Sequence, residues 1–117
     1  MVYQAMLESL CQRVPGALGA LLLDEGGEVV VESGSRDERL RLIGAYQGIA
    51  LATARKSAER YNLGGIEHLV CRYSNGSIIL RPLNDGYFLM LSVASGASVP
   101  LALFQSERAR EALNKEI

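Results

Sequence analysis

The sequence predicts an α+β domain with the element order α-β-β-α-β-β-β-α and a five-stranded antiparallel sheet. Three segments carry apolar residues at helical spacing. Five short apolar runs have the length and composition of strands, and turn-forming glycine dipeptides join several of these runs. Because 49% of the 117 residues are hydrophobic, the chain can build one self-sufficient core. We therefore expect residues 1–117 to form a single domain.

The first helix and the first hairpin occupy the N-terminal third of the chain. Apolar residues at helical spacing predict a helix over residues 2–13, which stops before Val14-Pro15-Gly16 because that tripeptide cannot continue it. The runs at 17–23 and 28–32 flank a turn at Asp24–Gly27, and this pattern predicts a β-hairpin.

A long second helix follows the hairpin. The tripeptide Ser33-Gly34-Ser35 is expected to break the second strand. Ser35 is the predicted N-cap of the helix, with Glu38 at the capping-box position three residues later. The helix is expected to run to about Asn62 and to be closed by Gly64-Gly65 just past its end.

Three further strands are predicted over residues 66–73, 77–83 and 87–94. Asn75-Gly76 and Asp85-Gly86 favour type I′ turns, so these strands should form an antiparallel meander. If the two hairpins pair through the middle of the sheet, the strand at 66–73 lies at its edge. Long apolar edge strands invite pairing with another chain.

The last helix follows a second breaker. Residues 95–98 interrupt the strand pattern, and Pro100 lies where the first turn of a helix accepts proline. Leu101, Phe104 and Leu113 then mark an amphipathic helix.

The second helix has an uncharged middle, residues 42–54, between two charged ends. A helix that covers one face of a sheet should be polar along its whole outer side. Here Ala45, Gly48 and Ala52 fill the arc that carries charged residues at both ends of the helix. We therefore expect another chain to cover this arc, and a twofold homodimer is the commonest solution. Burial within the chain's own core is the alternative.

Large and small side chains of this helix are expected to have different roles. Gly44 and Gly48 lie four residues apart and would let another backbone approach closely. The arcs that are expected to face the sheet carry Leu42, Tyr46 and Ile49 on one side and Leu40, Ile43, Ala50 and Ala54 on the other. The predicted dimer or partner interface consists of Gly44, Ala45, Tyr46, Gly48, Ile49 and Ala52 of the helix and Leu69 and Cys71 of the edge strand.

The sequence gives no support for catalysis, a metal or a cofactor. Its single histidine, His68, lies in a predicted strand, where its neighbour Glu67 points to the opposite face, so a packed or interfacial role is favoured. Cys11 and Cys71 cannot complete a zinc site with one histidine and are interpreted as small apolar fillers. No glycine-rich phosphate-binding motif is present.

Charge and hydropathy exclude further classes of partner. A formal net charge of -1 argues against nucleic acid. The chain has no apolar stretch long enough to span a bilayer and no signal-peptide pattern at its start. We therefore expect a cytoplasmic protein.

Taken together, the segments resemble the Roadblock/dynein light chain domain family, of the prokaryotic type that regulates small GTPases. The resemblance covers nearly the whole chain and includes a D-x-x-G turn at Asp24–Gly27 and a P-L-x-D-G pattern at Pro82–Gly86. The matching stretches are the first helix with VPGALGALLLDEGGEVVVESG, the long Gly- and Ala-rich helix, the strands that end in LRPLNDGYFLMLSVA, and the closing helix SVPLALFQSERAREAL.

The resemblance implies that the long helix covers one face of the sheet and the two terminal helices cover the other. It also implies a homodimer joined through the third strand and the long helix, with one sheet continuous across both copies. Family members are non-enzymatic scaffolds and regulators of small Ras-like GTPases, or light chains of dynein. A small Ras-like GTPase is therefore the expected partner.

Two alternatives stay open. A small-molecule sensor would need a pocket with convergent polar groups, for which Tyr46 and His68 are candidates. A passive adaptor similar to a dynein light chain would bind other proteins without altering a GTPase.

Overall fold

The computed structural model describes residues 2–34 and 38–117. Over these residues three α-helices and five β-strands follow the predicted order. Their bounds are α1 Val2–Arg13, β1 Ala17–Leu23, β2 Val29–Gly34, α2 Glu38–Arg60, β3 Leu69–Tyr73, β4 Gly76–Pro82, β5 Phe88–Ala94 and α3 Val99–Asn114. The predicted N-cap Ser35 lies outside the described residues.

The five strands form one antiparallel sheet in the order β2-β1-β5-β4-β3. The expected position of the third strand at an edge of the sheet is therefore confirmed. Because side chains alternate along each strand, the sheet has two apolar faces. Leu89 and Leu91 of β5 pack on one face, and Phe88 and Met90 pack on the other.

Each face of the sheet is covered by helices, in the arrangement that the family resemblance implies. Leu7 and Leu10 of α1 and Leu113 of α3 join the cluster that contains Leu89 and Leu91. Leu40 and Leu51 of α2 join the cluster on the opposite face. The single long helix and the pair of terminal helices therefore lie on opposite sides of the sheet.

Hydrogen bonds at the helix ends explain where α3 begins and α2 stops. The Ser98 hydroxyl accepts from the Leu101 amide at 3.1 Å and caps α3. At the end of α2, the Leu63 amide donates to the Ala58 carbonyl at 2.9 Å. Asn62 has a φ of 55°, so this residue, rather than Gly64, takes the left-handed position of a Schellman motif.

Two predicted strand bounds were wrong. Strand β2 continues through Ser33 and Gly34, which pair with Ala20 and Gly19 of β1. The two backbones approach so closely that a Cβ on Gly34 would lie 2.7 Å from the Gly19 Cα. At the other edge of the sheet, β3 begins at Leu69 instead of residue 66.

One of the two predicted type I′ turns of the meander forms at the predicted residues, and the other does not. Asp85 has φ 59° and ψ 30° and Gly86 has φ 81°, so they occupy the central positions of a type I′ turn, as predicted. Gly76, in contrast, pairs with Tyr73 inside the ladder. A Cβ on Gly76 would lie 2.7 Å from the Val93 carbonyl oxygen, so this glycine permits the close approach of β4 to its neighbour β5.

Candidate interaction surface

The outer side of α2 carries large exposed apolar side chains. Leu42, Tyr46 and Ile49 are 61%, 72% and 64% exposed. The prediction that these three residues face the sheet is therefore wrong. They form a crest on the side of the helix that points away from the sheet, and we call Leu42, Tyr46 and Ile49 the α2 crest.

Contacts on the inner side of α2 explain why the helix is rotated about its axis relative to the prediction. Gly44 is buried, and a Cβ added to it would lie 2.8 Å from Leu23 Cδ2. A Cβ on Gly48 would lie 3.2 Å from Phe88 Cζ. The two glycines therefore permit a close approach, but the neighbour that approaches within this chain is the sheet.

Ala45 and Ala52 are exposed. Ala45 lies beside the β1–β2 turn, since a Cβ on Gly27 would meet the Ala45 Cα at 3.4 Å. Projection at 100° per residue places Ala52 on the same flank. The structure thus separates the eight predicted interface residues into an inner pair, a crest, a flank near the hairpin and the edge strand.

The opposite flank of α2 is linked to the edge strand β3. Gln47 is buried, and its amide Nε2 donates to the Tyr73 hydroxyl at 3.1 Å. The Cys71 thiol donates to Gln47 Oε1 at 3.8 Å. Sequence reasoning missed Gln47 and Tyr73, although Gln47 carries the only amide side chain in the uncharged stretch and was a signal of a specific polar contact.

Strand β3 pairs with β4 on one side, without any shift of register. On its other side no described strand pairs with it. Leu69, Val70 and Cys71 are each partly exposed. This edge keeps a regular register and carries a run of three apolar residues, which are properties that favour pairing with another strand.

The other edge strand, β2, is protected. The register shifts between Leu22 and Leu23, which leaves Val30 as a bulge. Gln4 Nε2 donates to the Glu32 carbonyl at 2.8 Å, and the Glu32 carboxylate forms an ion pair with Arg41. A bulge and an occupied carbonyl oppose strand addition, so β3 is the available edge of this sheet.

A buried arginine fixes the segment that leads into β3. Arg81 of β4 is 5% exposed. It donates from Nη1 to the Glu67 carbonyl at 3.3 Å and from Nη2 to the Leu103 carbonyl at 2.8 Å. Its Nε lies 3.1 Å from the Ser106 hydroxyl of α3. One side chain thereby joins the start of the edge strand to the last helix.

His68 belongs to the same network. The prediction that it lies in a strand is wrong: the residue precedes β3, is exposed, and its ring Nδ1 lies 3.2 Å from Arg81 Nη1. Because Arg81 can only donate, the His68 ring nitrogen Nδ1 is the acceptor in this contact.

Two further charged groups complete the network on α3. Glu107 Oε2 accepts from Arg81 at 3.1 Å, and Glu107 Oε1 accepts from Arg110. The hydrogen bond from Arg110 holds the pKa of the Glu107 carboxyl below its usual value. Burial lowers the pKa of the Arg81 guanidinium despite the nearby carboxylate.

Two features of the described residues bear on binding of a metal ion or a small molecule. Within residues 2–34 and 38–117, no group of three or more His, Cys, Asp or Glu side chains is placed to hold a metal ion. A groove of about 590 Å³ lies between the first turns of α2 and the β3–β4 hairpin. Neither Tyr46 nor His68 lines it, so the two candidate polar groups of a sensor do not converge.

No described helix has the length and apolarity needed to cross a membrane.

Comparisons with known proteins agree with this architecture. A family model described as the Roadblock/LC7 domain matches residues 3–92. No curated protein matches the chain. The Roadblock/LC7 domain from Streptomyces avermitilis superposes with a TM-score of 0.88 at 17% identity, covering 97% of this chain and 95% of that one.

Two solved structures of another protein are also similar. The gliding protein MglB from Thermus thermophilus gives a TM-score of 0.86 at 19% identity, covering 97% of this chain and 86% of that one. A structure described as MglB with a tetrameric arrangement gives 0.87 at 19% identity, covering 97% and 85%. At these identities the similarity shows a common fold.

Proposed function

Because this chain belongs to the Roadblock/LC7 family, we propose that it is a homodimeric, non-enzymatic scaffold or regulator of a small Ras-like GTPase. The observation that carries the proposal is an unprotected edge strand beside a helix with an exposed apolar crest. Both features face away from the chain's own core, and both are of the kind that a partner covers.

The edge strand β3 is the proposed dimer contact. A second copy supplies a strand of the same length and pattern, and antiparallel pairing around a twofold axis satisfies both edges at once. Such pairing also brings together the flanks of the two α2 helices that lie on the β3 side. Gln47, which contacts Tyr73 and Cys71, and Ala54, which lies near Leu69, are on this flank. The similar MglB structure with a tetrameric arrangement supports self-association of the fold.

The α2 crest is the proposed docking surface for the GTPase. Leu42, Tyr46 and Ile49 form an uncharged patch, and exposed Arg41 and Lys56 lie at its ends. An apolar centre with a charged rim, and a tyrosine in that centre, are typical of protein interfaces. Ala45 and Ala52, on the neighbouring flank, would extend this surface. The GTPase itself is inferred from the family resemblance.

The proposed action is to hold the GTPase without supplying chemistry. Catalysis of hydrolysis by a residue of this chain would need a side chain aimed at the nucleotide from the crest. The three crest residues include no arginine or glutamine of the kind that completes GTPase sites, and Arg41 at the end of the crest is held by an ion pair with Glu32. A change in the nucleotide cycle would therefore follow from stabilising one conformation of the partner.

The experiment is a pull-down from the native organism with the wild-type protein and two variants. Ile49→Asp places a charge at the crest, and Glu59→Lys is the control, a charge change outside the crest. We expect a small Ras-like GTPase to be retained by the wild type and by Glu59→Lys and lost with Ile49→Asp. Equal recovery with Ile49→Asp, or no GTPase with any of the three, would contradict the proposed partner. Retained binding with unaltered GTP hydrolysis would identify a passive adaptor.

A further inference from the structure

A groove between α1 and α3 lies on the face of the sheet opposite to α2. It has a volume of about 330 Å³ and is lined by side chains of both helices. The two helices are antiparallel, since the Tyr3 hydroxyl at the start of α1 donates to the Glu116 carbonyl just past the end of α3 at 2.7 Å. The groove therefore runs along two helices of opposite direction.

The floor of the groove is apolar. Met6 and Leu10 of α1 and Ala109 and Ala112 of α3 line it. Beyond the groove, Phe104 is exposed on α3 and lies under the Arg108 guanidinium, 5.9 Å from its carbon to the ring centroid. This side of the domain therefore offers apolar contact area outside the core.

The charged side chains that line the groove are positive. Arg13 and Arg108 line it, and no carboxylate among the described residues does. Across residues 2–34 and 38–117 neither guanidinium forms an ion pair. Of the other surface arginines, Arg41 and Arg110 pair with glutamates, whereas exposed Arg60 and Arg72 resemble the two groove arginines in forming no ion pair among the described residues. The two groove arginines thus present positive charge beside an apolar floor.

We propose that this groove binds an acidic amphipathic helix of a partner protein. The twelve residues of α1 extend over about 18 Å, which matches roughly three turns of a bound helix. Apolar residues at the i, i+3, i+4 and i+7 positions of that helix would contact the floor. Its acidic residues would pair with Arg13 and Arg108, which provide the electrostatic complementarity for orientation.

The groove lies on the opposite face of the sheet from the α2 crest, and none of the residues that line it belongs to β3. A helix bound there would not compete with a second copy or with a GTPase. The domain could therefore connect two different proteins. This inference concerns a separate surface and does not depend on the identity of the crest partner.

The test uses a synthetic peptide of about 14 residues with leucine at helical spacing and glutamate elsewhere, and the same peptide with lysine for glutamate. Binding is measured by fluorescence anisotropy and mapped on the backbone amides by NMR. The double variant Arg13→Glu/Arg108→Glu removes the positive charge of the groove. The control Lys56→Glu/Arg60→Glu changes the net charge equally on exposed positions of α2.

We expect the glutamate peptide to shift amides of α1 and α3 and to bind roughly fivefold or more weakly to the groove variant. The α2 control should bind as the wild type does, and Ala5→Trp, which fills the groove without a charge change, should also weaken binding. Equal weakening by both charge variants, equal binding of the lysine peptide, or no shifts in α1 and α3 would overturn the proposal.

Discussion

Gln47 of α2 donates a hydrogen bond to the Tyr73 hydroxyl of β3 at 3.1 Å. This contact joins the long helix to the edge strand, the two elements that carry the proposed interfaces. The same amide accepts from the Cys71 thiol through its oxygen. A buried amide on α2 thus holds the flank of the helix against the strand that is proposed to pair with a second copy.

The Gln47–Tyr73 contact should be measurable as a coupling energy. In a double-mutant cycle with Gln47→Leu and Tyr73→Phe, we expect the free energies of unfolding to be non-additive by about 0.5 to 1.5 kcal/mol. Urea unfolding at one fixed protein concentration gives these values, because the proposed dimer would make the stability depend on concentration. Additive effects of the two substitutions would show that the hydrogen bond does not stabilise the protein.

The inner glycine of α2 should be sensitive to size. Gly44→Leu forces a side chain against Leu23 and Leu21, whose methyl carbons lie 2.8 and 3.1 Å from where a Cβ on Gly44 would be. We expect this overpacking to lower the free energy of unfolding by about 1 to 3 kcal/mol. Ala52→Leu, at an exposed position of the same helix, should change it by less than about 0.5 kcal/mol. Thermal melts of the two variants distinguish them, and equal melting temperatures would contradict the observed rotation of α2.

The rotation of α2 determines which substitutions can test the proposed dimer. A bulky charged residue at Gly48 would meet the Phe88 ring, since a Cβ there already lies 3.2 Å from Phe88 Cζ. Such a variant disturbs the core of the monomer as well as any interface. Substitutions at exposed positions of the crest and the edge strand are therefore the informative ones.

The Glu107 carboxylate should contribute pH-dependent stability. Its pKa in the folded protein is lowered by the hydrogen bond from Arg110, and the charges of Arg110 and Arg81 add to this effect. A lowered folded pKa means that the stabilisation is present above the usual pKa of a glutamate, 4.5, and is lost as the pH falls through the folded value. The wild type should therefore be more stable than Glu107→Gln at neutral pH, with a difference that shrinks below about pH 4.5.

Urea unfolding of both proteins at neutral and acidic pH measures this difference. Glu8→Gln, an exposed glutamate on α1, serves as the control for the general effect of acid. A difference between wild type and Glu107→Gln that is the same at both pH values would show that the carboxylate is not stabilised by its arginine partners.

The order of elements was predictable because local patterns determine it. Helical spacing defined α1, and the Asp85-Gly86 dipeptide defined the last turn of the sheet. The rotation of α2 was not predictable, because an uncharged stretch has no polar face by which a projection can orient it. The contacts that fix the rotation, Gly44 with Leu23 and Gln47 with Tyr73, join residues far apart in the sequence.

The residue at which β3 starts was not predictable either, because contacts with a distant part of the chain determine it. The apolar character at residue 66 favours a strand, but continuing the β3–β4 register from the pair Leu69 and Leu80 would place Glu67 opposite Pro82. Proline has no N–H group for a ladder, and Arg81 binds the Glu67 carbonyl from its side chain instead. The strand therefore begins at Leu69 for a reason that lies in another strand.

The central claim, that β3 pairs with a second copy, is tested most directly by amide hydrogen exchange measured residue by residue by NMR. In an open edge strand, alternate amides lack a ladder partner and exchange quickly. We predict that all amides of Leu69–Tyr73 are protected, whereas β2 keeps the alternating pattern of an open edge. Rapid exchange at alternate residues of β3, equal to that in β2, would contradict the account.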